Sequence, residues 1–133
     1  MDQLLDRALD LSFDINKNIK KFLTEDVSAE HPLREIAWSV QRAAIKIKGA
    51  LGHDGDEPWP PDAIFADDSL VRLKKSRDYL RDALLAMNSA DEENLAPVEW
   101  RIAKHRDISE ILCVVQKHIQ DLRDVLKDSE EEI

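Results

Sequence analysis

The sequence predicts an all-α fold, an antiparallel up-down-up-down four-helix bundle, and three observations predict it. Apolar residues recur at three- and four-residue spacing in four separate segments. Helix breakers cluster between segments, with three of the five prolines and all three glycines falling between Gly49 and Pro61. At 133 residues, 43% hydrophobic and 35% charged, the chain suits one domain that buries its own core. Helices of about 20 to 30 residues joined by short connections pack as antiparallel neighbours.

The first segment runs from Asp2 to Leu23. Leu5, Ala8, Ser12, Ile15, Ile19 and Phe22 form its seam, which Leu9 and Leu23 widen. Asp2, Asp6, Asp10 and Asp14 stand four apart on another face, and Lys17, Lys20 and Lys21 lie toward the far end. Acids first and bases last complement the helix dipole. The aspartates read as a solvated face, because a cation cage needs ligands converging from several elements.

A connection from Asp26 to His31 leads to Pro32, whose fixed φ suits the first turn of a second helix. Leu33, Ile36, Val40, Ala43, Ile47 and Ala50 form its seam, and Gly52 is a natural stop. His53 to Asp62 reads HDGDEPWPPD, a loop, with Trp59 expected to plug the end of the bundle.

The third helix is established by Ser69 and runs to Met87, with Leu70, Leu73, Leu80, Leu84 and Met87 inward. Ile64 and Phe65 either begin it early or cover its end as a loop. Ser89 followed by Glu92 fits a capping box opening a short turn. Pro97 then suits the start of a long fourth helix, with Val98, His105, Ile108, Leu112, Val115, Ile119, Leu122 and Leu126 along its seam. The bundle thus takes residues 1–127, and the acidic residues 128–133 are expected to fray.

The lone cysteine, Cys113, sits in an apolar run and reads as a buried or half-buried small hydrophobe. Early aspartates argue against a signal peptide, and no apolar run reaches the roughly 20 residues of a membrane span. The expected setting is the reducing cytoplasm, away from membranes.

Catalytic constellations are thin. The sequence offers no cysteine–histidine nucleophile pair at a credible spacing, no glycine-rich phosphate loop and no paired HxxxH or ExxH ligand motif, so no catalytic residue, metal or cofactor is expected. Arg101 and His105 resemble the arginine–histidine pair of helical ribonucleases, at a shorter spacing. His105 reads more simply as a seam histidine. The Lys46-Ile47-Lys48-Gly49 stretch would put the histidine of a phosphotransfer helix at Ile45, which cannot carry phosphate.

The net charge of −9 opposes nonspecific nucleic-acid binding, yet the cations are segregated. No acid occurs between Ile36 and His53, where Arg42, Lys46 and Lys48 do. Arg72, Lys74, Lys75, Arg77 and Arg81 face a single acid, Asp78, in their interval. Arg42, Lys46, Arg72, Lys75 and Arg81 are the candidate partner or nucleic-acid surface. Leu4, Leu11, Trp38, Ile45, Ile111, Val114 and Val125 fall off the seams, and Trp38 with Ile45, seven residues apart, mark a candidate subunit interface.

Gln41-Arg42-Ala43-Ala44-Ile45-Lys46-Ile47 followed by Gly49 to Gly55, then Ser69 to Leu85 and Ile108 to Arg123, resembles a known family. It is the small four-helix-bundle family encoded in intervening sequences of bacterial 23S ribosomal RNA genes. The accessory variability determinant proteins of diversity-generating retroelements are related to it in fold. Ala50-Leu51 stands where that family has asparagine and isoleucine. The resemblance implies a bundle that assembles into a homo-oligomeric ring, a pentamer, and its retroelement branch also implies a reverse transcriptase and RNA as partners.

The reading from sequence is therefore a non-enzymatic oligomeric binding or scaffold module. One alternative is an acidic, protein-binding regulator of the immunity or antitoxin kind, acting through the Asp2–Asp14 face and the HDGDEPWPPD loop. Another is a helical nuclease using Arg101 and His105.

Overall fold

A computed structural model describes residues 3–23, 27–28, 30–51 and 59–131. Asp2, Asp26, Gly52, the HDGDEP part of the central loop and the last two residues lie outside them. The described residues form four helices and no strand: α1 (Leu4–Phe22), α2 (Pro32–Leu51), α3 (Ala63–Glu92) and α4 (Val98–Glu131).

Neighbours in sequence are neighbours in space, and α4 closes the circuit against α1. Named contacts fix the directions. Arg7 pairs with Glu110 while Asn18 accepts from Trp100, so α1 and α4 run oppositely. Trp38 meets Tyr79 while Ser69 donates to the Ala50 carbonyl, so α2 and α3 do too. The architecture is the up-down-up-down bundle the periodicity predicts. Among the described residues, no helix is long and apolar enough to cross a membrane.

Local chemistry sets the ends. His31 caps α2, its Nδ1 accepting the Leu33 amide at 3.2 Å, and Pro32 fills the first helical position. Past the last residue of α3, Glu92, the chain turns at Asn94, whose φ of 52° is left-handed, and the Leu95 amide reaches back to the Ala90 carbonyl. Trp59 packs on the core, stacks on buried His118 at 4.8 Å and donates its indole N–H to Asp121 at 3.1 Å. It is the expected plug.

Several expectations need correction. α3 begins at Ala63, a turn and a half before Ser69, so of the two alternatives for Ile64 and Phe65 the early helix start holds, and both are exposed. Ser89 and Glu92 remain inside α3, so they open no capping-box turn; the Ser89 carbonyl accepts from Glu93 instead. On α3 the expected Leu73, Leu80 and Met87 are buried and Leu70 and Leu84 pack partly buried on the core, while Ala66, Ser69, Ser76, Ala83, Ala86 and Ala90 complete the inner face. α4 stays helical through Glu131, past the point where fraying was expected.

Leu4, Leu11 and Ile111, expected off the seams, are buried, because each helix inserts a stripe wider than two positions per turn pair. Leu9 and Val98, expected inward, are exposed. His105 is exposed as well: the α4 seam passes through Arg101, half-buried Lys104, Ile108 and Ile111, one position away from it. Cys113 is exposed, since it falls between buried Ile111 and Val115 on the opposite side of the helix.

Candidate interaction surface

Trp38, Arg42, Ile45 and Gly49 recur at four- and three-residue spacing and form one stripe on α2, turned away from buried Ile36, Val40, Ala43 and Ile47. Trp38 keeps 50% and Ile45 52% of its surface in water. The Trp38 ring is nonetheless fixed in place. Tyr79 of α3 meets it edge-on with centroids 5.7 Å apart, and the Arg42 guanidinium lies 4.8 Å from the ring centre. Such a cation–π contact contributes roughly 0.5–1 kcal/mol at an exposed site. At the far end of the stripe the Arg72 guanidinium reaches across α2 over Gly49, where a Cβ would collide with its Nη1. Glycine there permits the approach.

The five candidate cations do not form one uniform patch. Arg42 covers Trp38, Arg72 bonds Asp68 at 2.9 Å, and Arg81 stands 3.9 Å from Asp78, which also accepts from Arg77 at 3.2 Å. Arg81 shares its helix face with Arg77 and Leu84 instead of Arg72 and Lys75. Lys46 is half-buried and Lys75 exposed, and neither forms an ion pair among the described residues. Acids at i−4 of Arg72 and i−3 of Arg81 were the sequence signal for these pairings. Exposed pairs of this kind contribute little stability, but they lower the positive charge open to a partner.

Sequence reasoning missed a second apolar stripe. Leu9 and Phe13, one turn apart on α1, expose 43% and 73% of their surfaces. Exposed Asp6 and Asp10 lie beside them. The signal was there: Phe13 fits no seam, and Leu9 sits a full position from Ala8. A groove of about 870 Å³ lies at one end of the bundle, lined by Ile19 and Leu23 of α1, Glu35, Trp38 and Ser39 of α2 and Leu85 of α3.

Arg101 and His105 serve different surroundings. Arg101 is buried and held in the α3–α4 turn by Asp91, at 2.7 Å, and by the Ala96 carbonyl, at 3.3 Å. His105 lines a separate cavity of about 510 Å³ with Arg7, Arg106, Ser109, Glu110 and Cys113, and Arg101 is not among its walls. Among the described residues, no group of three or more histidine, cysteine, aspartate or glutamate side chains converges as metal ligands would. No family model matches the chain, and no curated protein or solved structure matches it either.

Proposed function

We propose that this chain is a non-enzymatic binding and scaffold module that works as a homo-oligomer. The observation that carries the reading is Trp38, half in water yet pinned by Tyr79 and Arg42, with Ile45 two turns along the same stripe. A rigid, exposed aromatic with an aliphatic neighbour is the composition of an interface centre. Burying each side chain fully favours association by roughly 1.5–3 kcal/mol. Five subunits in a closed ring is the number implied by the resemblance to the intervening-sequence family. Lys46 and Lys75 leave a modest cationic margin for an anionic partner such as RNA, and the resemblance supplies a reverse transcriptase as the protein partner. Arg101, committed to the α3–α4 turn, supports the non-enzymatic reading over the nuclease one.

Light scattering coupled to size-exclusion chromatography tests the reading. A mass about five times the 15.3 kDa of one chain supports it in full. A dimer or tetramer keeps the Trp38 surface and discards the ring of five. A monomer at micromolar concentration overturns it.

A further inference from the structure

We infer that α1 carries a second self-association surface, whose stripe Asp6–Asp10–Phe13–Lys17–Lys20 packs antiparallel on the same stripe of another copy, across a two-fold axis at Phe13. The inference goes beyond the Trp38 reading, because it rests on α1 alone.

The five residues alternate four- and three-residue spacing, so they lie along one face of α1. All five are exposed, on the side turned away from buried Leu4, Ala8, Leu11, Ile15 and Ile19. Phe13 stands at the middle with 73% of its surface in water, and Leu9 beside it keeps 43%. Asp6 and Asp10 lie to one side of Phe13 along the helix, Lys17 and Lys20 to the other. None of these four charges forms an ion pair among the described residues. The helix dipole accounts for acids first and bases last, but not for an aromatic ring in water between them. An exposed aromatic at the centre with charges around it is the composition of a contact.

The stripe matches itself when reversed. Asp6 and Lys20 each stand seven residues from Phe13, while Asp10 stands three away and Lys17 four. In an antiparallel pair centred on Phe13, Asp6 comes level with Lys20 of the other copy. Asp10 comes within one residue, about 1.5 Å, of the other copy's Lys17. Asp10 and Lys17 also fall to the same side of Phe13 around the helix, as a two-fold axis perpendicular to α1 requires. Parallel pairing would set acid on acid and base on base, whereas reversal pairs every charge. Exposed ion pairs contribute little singly, so the charges choose the orientation and the two rings supply the apolar contact. A two-fold contact inverts one copy relative to its partner, so alone it gives a dimer and closes no ring. It is one helix wide, which places it among weak contacts, read at submillimolar concentration and above the micromolar range that tests α2.

Charge swapping in a Trp38→Ala parent, which lacks the proposed α2 contact, tests the pairing. One variant adds Asp6→Lys with Asp10→Lys, a second adds Lys17→Glu with Lys20→Glu, and a third adds all four changes. Circular dichroism first checks that each is helical. Sedimentation equilibrium at submillimolar concentration should give the parent the mass of two chains of 15.3 kDa each. Each two-site variant alone should pair at least about tenfold more weakly, because like charges then meet across the contact. Mixing the two should give a one-to-one dimer. The four-site variant, with its charge order inverted but again self-complementary, should dimerise like the parent. That last result separates the pairing from the helix dipole, which the four changes oppose. A monomeric parent, two-site variants that dimerise like it, a mixture that stays monomeric, or a helical four-site variant that does so overturns the pairing. Each of these outcomes leaves the Trp38 reading standing, since that is decided on the unsubstituted chain at micromolar concentration.

Discussion

Arg101 ties the end of α3 to the start of α4 through Asp91. Its Nη1 donates to Asp91 Oδ1 at 2.7 Å and its Nε to the Ala96 carbonyl at 3.3 Å, with only 10% of the arginine side chain exposed. Ala96 holds a left-handed φ of 66°, unusual for a residue with a Cβ, and Arg101 binds the carbonyl of that same residue. Charge-assisted bonds of this kind contribute about 1.5–3 kcal/mol each, and their loss leaves Asp91 without its partner. Arg101→Ala should lower the stability by about that amount in urea titrations, with the slope unchanged. Arg101→Lys should recover only part, because an ammonium cannot reproduce the two-donor geometry. Protein concentration is held fixed, because on the proposed self-association the stability would depend on it.

The four helices and their antiparallel order were legible because apolar period and breaker positions agree along the whole chain. The inner face of α3 was legible only in its large residues, Leu73, Leu80 and Met87 with Leu70 and Leu84 beside them. Its inward positions alternate leucine or methionine with serine and alanine, and small residues do not register in an apolar stripe. α2 contributes Ala37 and Ala44 to its own buried surface, and α2 and α3 make the most extensive helix pair. Small residues permit that close approach. In the candidate surface, the exposure of Trp38 and Ile45 followed from their offset from the seam. The pairing of Arg72 and Arg81 with nearby aspartates was signalled by the acids at i−4 and i−3, which a count of charges along each run passes over.

Ser76 shows the cost of one such position. It is fully buried on α3, and its Oγ has no hydrogen-bond partner among the described residues. A buried hydroxyl without a partner costs roughly 1–3 kcal/mol of desolvation, and alanine is the better helix former. Ser76→Ala should stabilise the protein by about 1 kcal/mol, read as a higher urea midpoint. Destabilisation instead would show that the hydroxyl has a bonded water.

Gly49 and Arg72 should be energetically coupled. Alanine in place of glycine inside a helix is favoured by about 1 kcal/mol, but a Cβ at position 49 drives the Arg72 guanidinium off α2. Arg72 is half-exposed and its bond to Asp68 contributes at most about 1 kcal/mol, so the displacement is affordable but not without cost. Gly49→Ala alone should therefore gain less than it does in an Arg72→Ala background. A double-mutant cycle should return a coupling of about 0.5 kcal/mol. Strict additivity would mean that Arg72 does not rest on Gly49.

Trp38→Ala separates folding from association. Within one chain, Trp38 has half its surface in water and makes an edge contact with Tyr79, worth about 0.5–1.5 kcal/mol, and a cation–π contact with Arg42. Its removal leaves no closed cavity, because the ring lies at the surface. The cost to the fold should stay near 1–2 kcal/mol on these magnitudes. At the centre of a subunit contact the same ring acts as an anchor, and truncating an interface tryptophan costs about 2 kcal/mol or more. That corresponds to a dissociation constant weakened roughly thirtyfold. Circular dichroism of the variant should thus retain its helical signal while sedimentation equilibrium shows dissociation at concentrations where the wild type remains assembled. Arg42→Gln, which keeps much of the side-chain bulk but removes the cation from the ring, should weaken assembly by a smaller factor. Equal assembly of wild type and Trp38→Ala would move the subunit contact away from α2 altogether.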